Sequence, residues 1–124
     1  MNTNATPPQP AIPYTALVGQ VLLGHRGRKG LHQNDLAAAL GATQSAYSRI
    51  EQGDTTISIS QLRVIGRRLD IAPGDLLREA DQLAEQLRVQ GVVVSDEKGI
   101  HPAAVMIGLG ILAAILAASK YANV

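Results

Sequence analysis

Residues 33–53, QNDLAAALGATQSAYSRIEQG, constrain this chain more than any other stretch. Their spacing predicts two short helices joined by a tight turn. Leu36, Ala37 and Leu40 recur at helical spacing and give the first helix an apolar face. Gly41 stands where a helix end takes up the left-handed conformation, and Thr43 fits the N-cap of the second helix. Ala37 is small where two crossing helices approach closely. Ala46, Tyr47 and Ile50 are the expected inward positions of the second helix. Gln44, Ser45, Ser48 and Arg49 are left outward, all able to hydrogen-bond and none needed for packing.

Gln33, Ala37, Gly41, Gln44, Ile50 and Glu51-Gln52-Gly53 follow one another in a set order. Arg26 lies seven residues ahead of Gln33, and Gly30-Leu31 just before it. Leu62, Ile65, Leu69 and Ile71 come behind. In this register the chain closely resembles the lambda-repressor-like (Cro-type, XRE) helix-turn-helix family over residues 14–77. The resemblance implies an all-α fold, a five-helix bundle in which one helix crosses a DNA backbone and the next reads base edges. It implies that Arg26 and Glu51 form a structural ion pair bracing the first helix against the reading helix. It also places Gln44 at the start of the reading helix, on a base or phosphate. Tyr47 departs from the family's usual aliphatic residue. Two readings stay open: a core ring with its hydroxyl at the rim, or a ring turned out to a phosphate.

The residues themselves supply the chemistry of such an interface. Free N–H groups at a helix start favour an anion, so Gln33 and Asn34 are phosphate candidates. Arg28 and Lys29, set between Gly27 and Gly30, form a basic turn that can do the same. Thr55, Thr56 and Ser58 can donate to phosphate or cap the next helix, for which Ser58 or Ser60 is the N-cap. Among base readers, Gln44 suits adenine and Arg49 suits guanine O6/N7, with Ser45 beside them. Ser48 reads either edge and discriminates poorly. Charge is segregated to match. Residues 14–68 carry seven cations against three carboxylates, a net of +4, while residues 69–99 carry three against seven, a net of −4. Phosphate binding requires the basic half to be the reading half.

Around this unit the chain divides further. Residues 1–13, with four prolines and no Lys or Arg, read as a disordered arm. Leu17, Val18, Val21 and Leu22 stripe a first helix over residues 14–25, weakened by Gly19 and Gly24. A fourth helix over 60–69 buries Leu62, Ile65 and Leu69 and exposes Arg63, Arg67 and Arg68. Pro73 opens a fifth helix that extends the domain to residue 90. Leu76, Ala80, Leu83 and Leu87 recur along it at 4-3-4 spacing, a dimer seam or a stripe that packs back on its own bundle. Residues 91–101 read as a hinge or short extended segment. Residues 102–119 read as a separate apolar helix, with 120–124 as a tail. From 102 to 118 no residue is charged or strongly polar, and a helix apolar all round lies in a core or in lipid. A single-pass membrane anchor is the expectation, with Lys120 and Tyr121 at the interface and Gly110, Ala114 and Ala118 as a helix-packing face. The alternative is an oligomerisation helix.

Several chemistries are excluded. There is no cysteine, so thiolate metal sites and cysteine nucleophiles are absent. His25, His32 and His101 share no metal-ligand spacing, and no catalytic or cofactor-binding constellation is evident. Phe and Trp are absent, which argues against a stacking platform for single strands. The expected protein is a non-enzymatic regulator that binds double-stranded DNA as a homodimer. Its reading domain would lie in the cytoplasm, tethered to a bacterial inner membrane or free. Two alternatives are a membrane-anchored scaffold, as in some cell-shape proteins that use such a domain to bind a protein partner, and an antitoxin.

Overall fold

The computed structural model describes residues 8–96 and 101–118. Among them lie six helices and two short strands. In order these are β1 (Ala11–Pro13), α1 (Tyr14–Arg28), α2 (Gln33–Leu40), α3 (Gln44–Gln52), α4 (Ile59–Leu69), α5 (Pro73–Val89), β2 (Val93–Ser95) and α6 (Pro102–Ala118).

Local chemistry explains the helix ends. Gly41 closes α2 at φ +67°, and the Thr43 hydroxyl caps α3 by accepting from the Ala46 N–H at 3.1 Å. Ser58, not Ser60, caps α4. Its Oγ accepts from the Gln61 N–H, and Gln61 Oε1 accepts in return from the Ser58 N–H. Pro73 sits at the start of α5, where its missing N–H costs nothing. α1 runs to Arg28, three residues beyond the expected end, and Gly30 then turns the chain at φ +68°.

α1 is the spine. It packs on α3 along one side and on α5 along another, while α2 packs on α3 and α4. Leu17, Val18, Val21 and Leu22 are buried as the stripe predicts. Two polar ties hold α1 to α5: Tyr14 donates to Asp81 at 2.7 Å, and His25 Nε2 lies 2.7 Å from Glu79. Burial and the Asp81 carboxylate push the Tyr14 phenol well above its ordinary range.

Three expectations are corrected. Leu76, Ala80, Leu83 and Leu87 are all buried within the monomer, so the seam on α5 is intramolecular and leaves no dimer stripe there. The arm and the hinge meet. β1 and β2 pair in parallel, Ala11 with Val93 through Pro13 with Ser95, and Ile12 is fully buried. Pro13 tolerates this place because a two-stranded sheet has only edges. The remaining arm (1–7) and hinge (97–100) lie outside the described residues.

The third correction concerns α6, which is not separate. It lies against β1 and the end of α5, burying Ala104, Gly108 and Leu112 at four-residue spacing. Gly108 permits this approach, since a Cβ there would stand 2.5 Å from the Ala11 carbonyl oxygen. Among the described residues no helix is long and apolar enough to cross a membrane. Seventeen residues reach about 25 Å against about 30 Å of hydrocarbon. Gly110, Ala114 and Ala118 lie on the exposed face of this docked helix. Lys120 and Tyr121 fall outside the described residues.

Gly19 explains how α1 comes so close to α3. A Cβ there would meet the Glu51 carbonyl oxygen at 2.0 Å and the Ile50 carbonyl oxygen at 2.9 Å. Gly27, on the same helix, has nothing within 4 Å. Intrinsic helix propensity favours alanine at both positions, so packing alone separates them. Gly19→Ala should destabilise by roughly 1–3 kcal/mol through overpacking. Gly27→Ala should be neutral or stabilising by up to about 1 kcal/mol. Denaturant unfolding of the two variants checks both signs.

Candidate nucleic-acid interface

Glu51 in the last turn of α3 organises the site. Its side chain is 2% exposed and is held from two other helices. Arg26 of α1 grips it with a fork, Nε to Oε2 at 2.7 Å and Nη2 to Oε1 at 3.1 Å. Gln33, the first residue of α2, donates from Nε2 to Oε1 at 3.0 Å. Arg26 also donates to the Leu31 carbonyl at 3.0 Å, fixing the loop between α1 and α2. The ion pair implied by the family resemblance is therefore present. The hydrogen bond to Glu51 holds the Arg26 guanidinium pKa above its ordinary value. Thr15 adds a tie from α1 to the end of α3, donating to the Gly53 carbonyl at 2.8 Å.

Tyr47 lies inward, as the core reading had it, but it is fully buried and its hydroxyl is not at the rim. Its hydroxyl is near the Glu51 carboxylate but makes no hydrogen bond among the described residues. Burial, reinforced by that carboxylate, pushes the phenol well above its ordinary range. Ile50 is buried beside it, whereas Ala46, expected inward, is exposed in the first turn of α3. The inward set is Tyr47, Ile50 and Glu51.

This clasp presents the opposite face of α3 outward. Gln44, Ser45 and Arg49 are exposed, and Ser48 is half-buried among them. Gln52 continues the stripe one turn on, and its Nε2 donates to Ser48 Oγ at 3.3 Å. The sequence reading missed Gln52 because it counted the residue only as part of the motif's end. The four-residue spacing from Ser48 was the available signal.

The phosphate candidates divide. Arg28 and Lys29 are exposed at the end of α1, and Asn34 is exposed in the first turn of α2. Gln33 faces Glu51, so its side-chain amide braces the fold instead of standing clear for a phosphate. Asp35 also occupies this helix start, with Oδ2 accepting from the His32 N–H at 2.7 Å. A carboxylate there partly offsets the helix-end charge that would draw an anion. In the loop before α4, Thr56 is exposed and Thr55 half-buried, while the Ser58 hydroxyl is already engaged as the cap. Arg63, Arg67 and Arg68 are exposed along α4.

A buried, three-way-tied α1–α2–α3 unit that turns a polar stripe outward is a helix-turn-helix domain. Residues 25–76 match the model of the helix-turn-helix family, of the XRE type. No curated protein matches the chain in sequence. Among solved structures the fold is similar to that of the clp gene regulator ClgR from Corynebacterium glutamicum. That match has a TM-score of 0.60 and 21% identity, and covers 87% of this chain and 95% of that one.

Two consequences are measurable. Glu51→Gln leaves the Arg26 charge facing a neutral amide and should destabilise by about 3–5 kcal/mol, read as a lowered denaturation midpoint. Tyr47 gives an alkaline signature. An ordinary phenol titrates near pH 10, and the folded protein holds this proton above that. As pH rises past about 10 the unfolded chain binds fewer protons, so stability falls by up to about 1.4 kcal/mol per pH unit. Tyr47→Phe should flatten that fall in unfolding measured from pH 9 to 11. At neutral pH it should cost less than about 1 kcal/mol, because the hydroxyl has no hydrogen-bond partner among the described residues.

Proposed function

We propose that this protein is a sequence-specific regulator that binds double-stranded DNA as a homodimer. The observation that carries this reading is the exposed stripe on α3, Gln44, Ser45, Ser48 and Arg49, held rigid from behind by the Arg26–Glu51–Gln33 clasp. Base readout needs side chains fixed on a rigid element, and buried polar ties to two neighbouring helices provide that. Arg49 is the principal specificity residue, with a fork suited to guanine, and Gln44 suits adenine. Arg28, Lys29, Asn34 and the Thr55–Thr56 loop contribute phosphate contacts, and the Gln33 and Asn34 N–H groups add to them. The net +4 of residues 14–68 supports the same face. Two copies would place their reading helices in successive major grooves of a palindromic site. Such a protein acts by occupying DNA, and we place it with DNA in the cytoplasm.

The test is binding of the full chain to a random-duplex pool at two salt concentrations. Enrichment of a palindromic motif is expected, with affinity falling as salt rises. On the enriched site Arg49→Ala should cost about 1–3 kcal/mol and relax preference at one base pair per half-site. An equal loss on all sequences would refute base reading by Arg49.

A further inference from the structure

We infer that the exposed face of α6 is a homodimer interface in which two copies of this helix cross antiparallel about a two-fold axis near Gly110. The face is unlike the rest of the surface. From Ala103 to Ala118 the helix carries no charged or strongly polar side chain, although only one side of it is covered by the bundle. Met106 is 70% exposed, and Ile107 and Leu109 stand partly clear beside it.

Shape and charge together select the occupant. The bulky exposed side chains Met106 and Ile107 lie in the N-terminal half of the helix. The exposed positions of the C-terminal half, Gly110, Ala113, Ala114 and Ala117, are all small. An isologous contact requires a surface complementary to itself. Antiparallel crossing lays the bulky half of each copy over the small half of the other. Parallel crossing sets bulk against bulk and leaves a void at the other end. With the axis at Gly110, Met106 of one copy meets Ala114 of its partner. A groove lined by Glu85, Gln86, Val89, Gln90, Ile115 and Ala118 opens beside that small half. The flexible Met106 of the second copy can fill it.

Area sets the extent of the contact. A face about 25 Å long and about 10 Å wide is on the order of 250 Å², short of the roughly 800 Å² per partner of a standard interface. The interface must therefore include the adjoining edge of α5, where Val89 is 69% exposed. A lipid surface fits less well. Helices that lie on membranes carry basic residues along their polar border, whereas α6 has none among its described residues and Glu85 lines the groove beside it.

This inference gives the proposed DNA-binding dimer its contact surface and rests on that reading for its purpose. It can be tested without DNA. Sedimentation equilibrium of the full chain should give twice the 13.0 kDa chain mass. Ala114→Glu should halve that mass with the helical circular dichroism unchanged, because residue 114 faces away from the bundle. The chain has no cysteine, which permits a disulfide test of direction. Met106→Cys with Ala114→Cys should cross-link the dimer under oxidation, and Met106→Cys alone should not. A wild-type chain that stays monomeric at tens of micromolar overturns the interface, as does a dimeric Ala114→Glu variant. Cross-linking by Met106→Cys alone overturns the antiparallel arrangement. Monomers that sediment with anionic vesicles would identify a lipid surface instead. A dimer sensitive to Ala114→Glu that selects no DNA motif would sustain the interface and refute the DNA-reading proposal.

Discussion

A carboxylate buried as deeply as Glu51 is tolerated only when donors replace its lost water. The chain supplies three hydrogen bonds, two from Arg26 and one from Gln33. Because the donors come from α1 and α2 while the acceptor belongs to α3, satisfying the charge fixes three helices at once. Apolar packing alone is less selective, since a core tolerates small slides and rotations that a bidentate fork does not. Gly19 works in the same place, bringing the α1 backbone against the Ile50 and Glu51 carbonyls. The polar stripe on α3 can be presented at a defined angle because its other side is held in this way.

The second half of the molecule is built by addition to α1. α5 covers α1 with the Leu76, Ala80, Leu83 and Leu87 stripe, and the two short strands close the seam between the chain's beginning and the end of α5. β1 then provides the platform for α6, where the Gly108 approach to Ala11 and the burial of Leu112 complete the core. α3 packs on α1 and α2, whereas α6 packs on β1 and α5. α3 and the uncharged α6 thus attach to different parts of the fold, and α1 connects them.

The parts of this arrangement that depend on neighbouring residues were legible in the sequence. Gly41, Thr43 and Pro73 mark helix ends through conformational or hydrogen-bonding preferences that act locally, and the stripes of α1 and α4 follow helical periodicity. The Arg26–Glu51 pair was accessible through the family resemblance because its spacing is part of the motif. Features that join distant segments were not legible. A three-residue strand that follows one proline and ends on another carries almost no pattern, and its partner Val93 lies 82 positions from Ala11. The seam on α5 was correct as a stripe and ambiguous as to what it faces, since a heptad pattern looks the same within a bundle and between chains. In α6 every position is apolar or small, so periodicity could not show which side is buried. Gln33 was read by its place at a helix start, and only the fold shows that its side chain turns to Glu51.

The ambiguity of α6 has a physical resolution. An all-apolar helix suits either lipid or two apolar neighbours on opposite sides, and composition does not separate these cases. Docking on β1 through Ala104, Gly108 and Leu112 supplies one neighbour and leaves Met106, Ile107 and the small-residue half outward. A second protein surface on the remaining side satisfies the same hydrophobicity that first suggested a membrane. The dimer proposed here would be held through α5 and α1, so the separation of its two α3 helices would depend on the rigidity of that path. The polar ties of Tyr14 to Asp81 and His25 to Glu79, at opposite ends of α1, serve that rigidity. Without them, α1 could tilt on α5 by sliding its apolar stripe, and half-site spacing would no longer be defined by the protein.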